Sequence, residues 1–251
     1  MNSEPFQEFN SEGGIREILQ QTALEFRRKG IQTPRLDAEL LLAFSLQVKR
    51  LDLYLQADLP LTEGESSFFD NLVKKRIEGT PIAYLVKQQE FCSLPLLVTS
   101  DVLIPRPETE LLVEISCSRL KIKQQEKISQ RLSVTDLGTG SGAILLAMAS
   151  QLMDLDLYGM DFSQKAISVA SINAATFQSM LLKRKHRLLL FQSTVMGSFF
   201  RKGTLDFLIS NPPYIPTQNI SDLSLEVQQE PRMALDGGFD GLDIYRRILT
   251  S

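Results

Sequence analysis

The sequence predicts an α/β protein in which a Rossmann-like parallel sheet follows a small N-terminal helical bundle and a linking β-hairpin. Three observations predict it. The strand-like run Ser133-Val-Thr-Asp-Leu137 passes through glycines at 138, 140 and 142 into the helical segment Ile144 to Met148, which is the strand, loop and helix of a doubly wound nucleotide-binding unit. Apolar strand-like runs start again near residues 155, 188 and 205. Before residue 80 the apolar residues recur at helical rather than alternating spacing. A chain of 251 residues with 43% hydrophobic content is long enough for one large and one small core.

Taken in order, Ile15, Ile18, Leu19, Thr22 and Phe26 form one helical stripe. Thr33-Pro34 supplies an N-cap and a first-turn proline for a helix over Leu36 to Val48. The capping box Thr62-x-x-Glu65 opens a helix carrying Phe68, Leu72, Val73 and Ile77, which Gly79 and Pro81 end. These stripes read as the core of a module over residues 1–80. Residues 88–104 read as extended segments around Ser93-Leu-Pro95, a hairpin within a linker over 81–106. Pro107 opens a helix through Leu120 and with it the domain assigned to 107–251. Lys121 to Gln130 has no apolar stripe and reads as a solvated helix end or loop.

The glycine loop has the spacing G-x-G-x-G, with Asp136 two positions before the first glycine. That differs from the G-x-G-x-x-G of dinucleotide sites and points to S-adenosyl-L-methionine. Asp136, Gly138, Thr139, Gly140, Ser141 and Gly142 are the candidate cofactor residues, because glycines let backbone approach a ligand and the following helix aims N–H groups at a carboxylate. Asp136 can equally order the loop by accepting its backbone N–H groups. Asp161, ending the run from Leu155, lies where an acid binds ribose hydroxyls. Ser163 is the better N-cap for the next helix, which leaves Asp161 for ligand.

Asn211-Pro-Pro-Tyr214 directly follows the apolar run Leu205 to Ser210. Two prolines stiffen the backbone, remove two donors and leave carbonyls free to accept. The Asn211 side-chain oxygen and the Pro212 carbonyl can take the two N–H bonds of a planar amide or exocyclic amine, with Tyr214 stacked on its plane. Asn211, Pro212 and Tyr214 are therefore the candidate catalytic residues of a methyl transfer to planar nitrogen, driven by orientation and charge stabilisation rather than by a strong base.

Pro105-Arg-Pro-Glu-Thr-Glu110, the glycine loop, Ser210-Asn-Pro-Pro-Tyr214 and the stretch Glu230 to Leu242 follow in an order that resembles the HemK-type peptide chain release factor glutamine methyltransferases over nearly the whole chain. The resemblance implies methyl transfer from S-adenosyl-L-methionine to the side-chain amide nitrogen, N5, of the glutamine in the Gly-Gly-Gln loop of class I release factors. It implies that Asn211 and the Pro212 carbonyl hold that amide, that Pro213 and Tyr214 border it with Arg106 as a further contact, and that Asn211 also meets the cofactor. It implies that the N-terminal module helps recognise the release factor. Thr194 or Val195 would line the adenine pocket, where the family has a bulky aromatic and often an acid, and Val195 is assigned to it. The family sheet has seven strands and four parallel candidates are found here, so the expectation is a sheet stopping before its fifth strand with an open edge.

Two other readings stay open: an adenine-N6 nucleic-acid methyltransferase, which shares the planar NH2 geometry, and a non-catalytic remnant or binding module. The net charge of −3 and pI near 5.4 give no general pull toward nucleic acid, and direct binding to it is not expected. Lys183 to Arg187 reads as a solvated loop and the single His186 as a surface residue. Cys92 and Cys117 form no paired motif, which suggests reduced thiols, a cytoplasmic protein and no metal site. Neither a leader pattern nor a membrane-length apolar run is seen.

Overall fold

The computed structural model describes residues 13–126, 130–193 and 205–250. The chain divides into two compact units, Met1–Val86 and Lys87–Ser251.

The first unit contains helices α1 (Ile15–Arg28), α2 (Pro34–Leu46), α3 (Arg50–Leu55), α4 (Glu63–Ile77) and the short α5 (Ile82–Leu85). The stripe Ile15, Ile18, Leu19 and Phe26 is buried against Leu41, Leu42, Phe69 and Val73. Thr62 and Glu65 form the expected capping box on α4. Two local expectations change. Phe68 is 46% exposed and its neighbour Phe69 is 1% exposed, because a step of one residue on a helix turns a side chain about 100° away from the core. Thr33 makes no side-chain cap on α2; its hydroxyl donates to Asp37 Oδ1 at 2.7 Å. Asp37 Oδ2 in turn accepts from Arg76 Nε at 2.8 Å, a pair buried at both ends. Leu85, Ile82 and Val86 belong to this same core.

The second unit begins with an antiparallel hairpin of β1 (Gln88–Phe91) and β2 (Leu94–Leu97), turned by Cys92 and Ser93 at positive φ. Its Phe91 and Leu96 enter the core of this unit. Helix α6 (Pro107–Glu126) starts at the expected proline and runs beyond Leu120, so Lys121 to Glu126 are helical. The main sheet contains β3 (Leu132–Leu137), β4 (Leu155–Asp161), β5 (Arg187–Gln192) and β6 (Phe207–Ser210) in the order β5-β4-β3-β6, every pair parallel. Among the described residues β5 and β6 are its two edges. Between the strands lie α7 (Ala143–Gln151), α8 (Gln164–Thr176) and α9 (Gln178–Lys183). Helix α7 is buried on all sides from Ala143 to Ala149, as its uniformly apolar sequence requires. After β6 come a 3-10 turn (Thr217–Asp222), α10 (Leu225–Gln228), α11 (Arg232–Leu235) and α12 (Asp243–Thr250).

His186 is a core residue, 7% exposed, rather than a surface one. Its Nδ1 accepts from the Leu155 N–H at 3.2 Å, which leaves Nε2 to donate to the Ala149 carbonyl at 3.1 Å. Burial pushes its pKa below the ordinary value. Asn173, also buried, joins three segments: its Oδ1 accepts from Leu97 N–H, and its Nδ2 donates to the carbonyls of Leu97 and Ser141.

Candidate active site

The parallel register decides where the motifs meet. Leu137 of β3 pairs with Ser210 of β6, so Gly138 and Asn211 leave the carboxyl edge of the sheet side by side. The Ser210 hydroxyl ties the two strand ends by donating to the Leu137 carbonyl at 2.7 Å. Leu137 also pairs with Met160, which brings Asp161 to the same edge. Strand β6 is last in sequence yet lies beside β3, so the order reverses here, and such a switch point opens the crevice in which doubly wound folds bind ligands.

The glycine loop takes the shape that its composition allows. Gly138, Gly140 and Gly142 all have positive φ, at 75°, 55° and 80°, where a residue with a Cβ is strained. The Gly138 and Thr139 N–H groups donate to the Met160 carbonyl, and Gly142 N–H closes a turn on Thr139.

The loop-ordering bonds that the sequence allowed for Asp136 are made by Asp161. Asp161 orders the loop: its Oδ2 accepts from Gly140 N–H and its Oδ1 from Ser163 N–H, both at 2.9 Å. Ser163 caps α8 by accepting from Ala166 N–H at 3.2 Å. Asp136 is fully buried beneath the loop, and both its carboxylate oxygens lack a hydrogen-bond partner among the described residues. Burial pushes its pKa up to about 7; the nearby Thr139 hydroxyl offsets part of this and the charge of Asp161 adds to it. Asp161 is also raised, by burial, against the pull of its backbone donors at Ser163, Gly140 and Phe162.

A cavity of about 880 Å³ opens at this edge. It is lined by Gly138 to Ser141, by Asp161 and by Asn211 to Pro213, so the structure brings most of the expected residues together. Asn211 Nδ2 donates to the Thr109 hydroxyl at 3.3 Å, and Thr109 lines the same cavity. Four residues lie off the lining. Gly142 and Asp136 lie behind the loop surface, and Tyr214, 60% exposed, also does not line the cavity. Arg106 is paired with the buried carboxylate of Glu230, which also accepts from Ile104 N–H at 3.0 Å. Val195 lies outside the described residues.

Sequence reasoning missed three supports. Glu230 holds the strap from Ile104 to Arg106 that leads into α6, and Asn173 holds the Ser141 carbonyl. The stretch from Leu235 to Leu242 braces the backbone after Asn211-Pro-Pro: Ile215 N–H donates to Leu235, Gly237 N–H to Ile215 and Thr217 N–H to Gly238. A Cβ on Gly241 would lie 2.3 Å from the Tyr214 carbonyl oxygen, which explains a glycine there. The crowding of glycines after Asp236 was the one signal that could have indicated such close backbone packing.

Among the described residues, no helix is long and apolar enough to cross a membrane. Residues 17–86 match the family described as PrmC N-terminal domain and residues 116–235 the family described as Methyltransferase small domain. A release factor glutamine methyltransferase of Geobacter sulfurreducens is 38% identical over 241 residues, covering 94% of this chain and 78% of that protein. The protein of the same name from Rhodopirellula baltica is 38% identical over 237 residues with the same coverage. Among solved structures, the N-terminal domain of human METTL16 in complex with SAH matches 83% of this chain and 72% of its own, with 16% identity and a TM-score of 0.43.

Proposed function

Since this chain belongs to the release factor glutamine methyltransferase family, we propose that it moves a methyl group from S-adenosyl-L-methionine to the side-chain amide nitrogen, N5, of the glutamine in the Gly-Gly-Gln loop of class I peptide chain release factors. The observation that carries this reading is the single cavity that unites the glycine loop and Asp161 with Asn211-Pro-Pro. A cytoplasmic location and a role for the N-terminal helical module in recognising the release factor belong to the same proposal.

The residues present fit the cofactor. Thr139 lines the cavity, and its buried hydroxyl lies beside the Asp136 carboxyl beneath the loop. A Cβ on Gly138 would meet nothing within 4 Å, so its Cα face is open to close approach. Gly138 to Ser141 would hold the amino-acid end and Asp161 the ribose, its oxygens each keeping lone pairs beyond the backbone bonds they accept. When bound, the cofactor supplies a methyl carbon on a positively charged sulfur, an electrophile open to a nitrogen lone pair.

Amide nitrogen is a weak nucleophile because its lone pair is delocalised, so the protein must orient it. Asn211 Oδ1 and the Pro212 carbonyl accept its two hydrogens and fix its plane. Pro212 and Pro213 have no N–H, so the bound amine meets acceptors and no competing donors. As the nitrogen gives up its lone pair, positive charge grows on those two hydrogens and the same oxygens stabilise it, until one of the two protons is lost to water and the neutral N-methyl amide remains.

The test is mass spectrometry of a bacterial release factor incubated with this protein and S-adenosyl-L-methionine, with peptide mapping. One methyl on the Gly-Gly-Gln glutamine, lost with Asn211→Ala, is expected. A folded protein that leaves that glutamine unmodified, or that methylates nucleic acid instead, overturns the reading.

A further inference from the structure

We propose that Thr109 is a positioning residue for this reaction, whose hydroxyl anchors the Asn211 side-chain amide at the cavity with Oδ1 left free for the reacting nitrogen. The inference rests on the methyl-transfer reading above. An asparagine amide has an acceptor end and a donor end of nearly equal shape. With Oδ1 toward the substrate, an incoming N–H finds an acceptor. After half a turn it finds another N–H, and the nitrogen is pushed out of line.

Nothing in the Asn211 segment itself makes that choice, because the next two residues are prolines without N–H groups. Across the cavity the Thr109 hydroxyl, which can donate or accept, takes the acceptor role. Asn211 Nδ2 donates to Thr109 Oγ1, and among the described residues Oδ1 accepts no bond and stays available. Both residues line the cavity. Thr109 is itself held from behind. It is the third residue of α6, and its N–H donates to the Arg106 carbonyl at 3.0 Å. Arg106 and Ile104 are in turn held by the buried Glu230. The anchor therefore belongs to a fixed helix start, and the asparagine it restrains belongs to a strand end 102 residues away.

Two variants separate the hydroxyl from the shape of the side chain. Thr109→Val keeps the branched volume and loses the hydroxyl; Thr109→Ser keeps the hydroxyl. Two measurements are made on the full chain. The first follows the Asn211 side-chain NH2 signals in the 15N-labelled protein, assigned by their loss in Asn211→Ala. Thr109→Val is expected to shift them and Thr109→Ser to restore them. The second follows methylation of a release factor. Thr109→Val should lower kcat about ten-fold, the worth of one hydrogen bond, with KM for the cofactor within about two-fold and Thr109→Ser near wild type.

Unmoved Asn211 signals in Thr109→Val overturn the proposal. So does a moved signal with kcat unchanged, or a Thr109→Ser variant as slow as Thr109→Val. If the signals move as expected and the wild-type protein leaves the glutamine unmodified, Thr109 holds Asn211 as stated and the substrate assignment is what fails.

Discussion

Replacing Asp136 by asparagine should stabilise the ligand-free protein at alkaline pH, although it alters a residue of the cofactor motif. Asp136 is fully buried, and among the described residues neither oxygen finds a hydrogen bond. Its pKa is pushed from 3.8 up to about 7. In the unfolded chain it ionises at the ordinary value, so between those two pH values the native state holds the extra proton and stability falls as pH rises. Above pH 7 the full cost is about 4 kcal/mol, and the part that develops between pH 5 and pH 8 is about 2.5 kcal/mol. Asparagine has nearly the shape of the protonated carboxyl and does not ionise, so the variant and the wild type should be close at pH 5 and diverge by pH 8. For a unit of this size the divergence corresponds to about 5–10 °C in Tm. Urea or thermal unfolding of both proteins without ligand, at pH 5, 6.5 and 8, reads the gap directly. Using the difference between the two proteins removes the opposite contribution of His186. A gap that stays constant with pH, or a variant less stable than wild type at pH 8, would refute the reasoning.

Glu230→Gln removes the charge that pairs with the partly exposed Arg106 and should cost about 1.5 kcal/mol, the low end for losing a hydrogen bond to a charged group; chemical denaturation checks it, and Arg106→Gln in the same background should cost little more. Gly241→Ala places a Cβ 2.3 Å from the Tyr214 carbonyl oxygen at a φ of 80°, so it should destabilise by about 2 kcal/mol or more and reduce methylation by displacing the backbone after Asn211. His186→Phe should lose about 1–3 kcal/mol at pH 7.5, since the Leu155 N–H and the Ala149 carbonyl are left unpaired. Burial holds the pKa of His186 below its ordinary 6.5, so its contribution is complete above pH 6.5 and is lost as pH falls below that value; the deficit of the variant should shrink at pH 5.5 in the same unfolding assay.

What could be read from the sequence was whatever depends on neighbours along the chain. The strands expected from about 133, 155, 188 and 205 begin at Leu132, Leu155, Arg187 and Phe207, because alternation and glycine spacing are local. Glycines at 138, 140 and 142 implied a loop of positive φ, and all three have it. What was misread and what was missed share a cause. His186 lies in a run of cations, and charge along the chain says nothing of whether one ring can turn inward to meet two backbone groups on other elements. Arg106 and Glu230 are 124 residues apart, and Asn173 meets Leu97 at a separation of 76, so no window of sequence contains these pairs. The adjacent Phe68 and Phe69 are chemically identical, and helical phase alone decides between them.

Around the cavity, three carboxylates from distant parts of the chain hold backbone in place: Asp161 on Gly140, Glu230 on Ile104, and Asp236, which accepts from Gly238 N–H and the Thr217 hydroxyl. A carboxylate accepts strongly only while ionised, so the braces at Asp161 and Asp236 each have an acid limit. Asp236 is exposed to the stabilising bonds of Thr217, Gly238 and Arg232 with little burial against it, and its pKa is lowered. Asp161 accepts comparable bonds, but its burial outweighs them and its pKa is raised. On acidification the glycine loop should therefore loosen before the turn that braces Tyr214. The amide signals of Gly140 and Gly238 in the ligand-free protein report the two braces separately, and the Gly140 midpoint should fall at the higher pH. Coincident midpoints would mean that the loop is held by its bonds to Met160 and Asn173 rather than by Asp161.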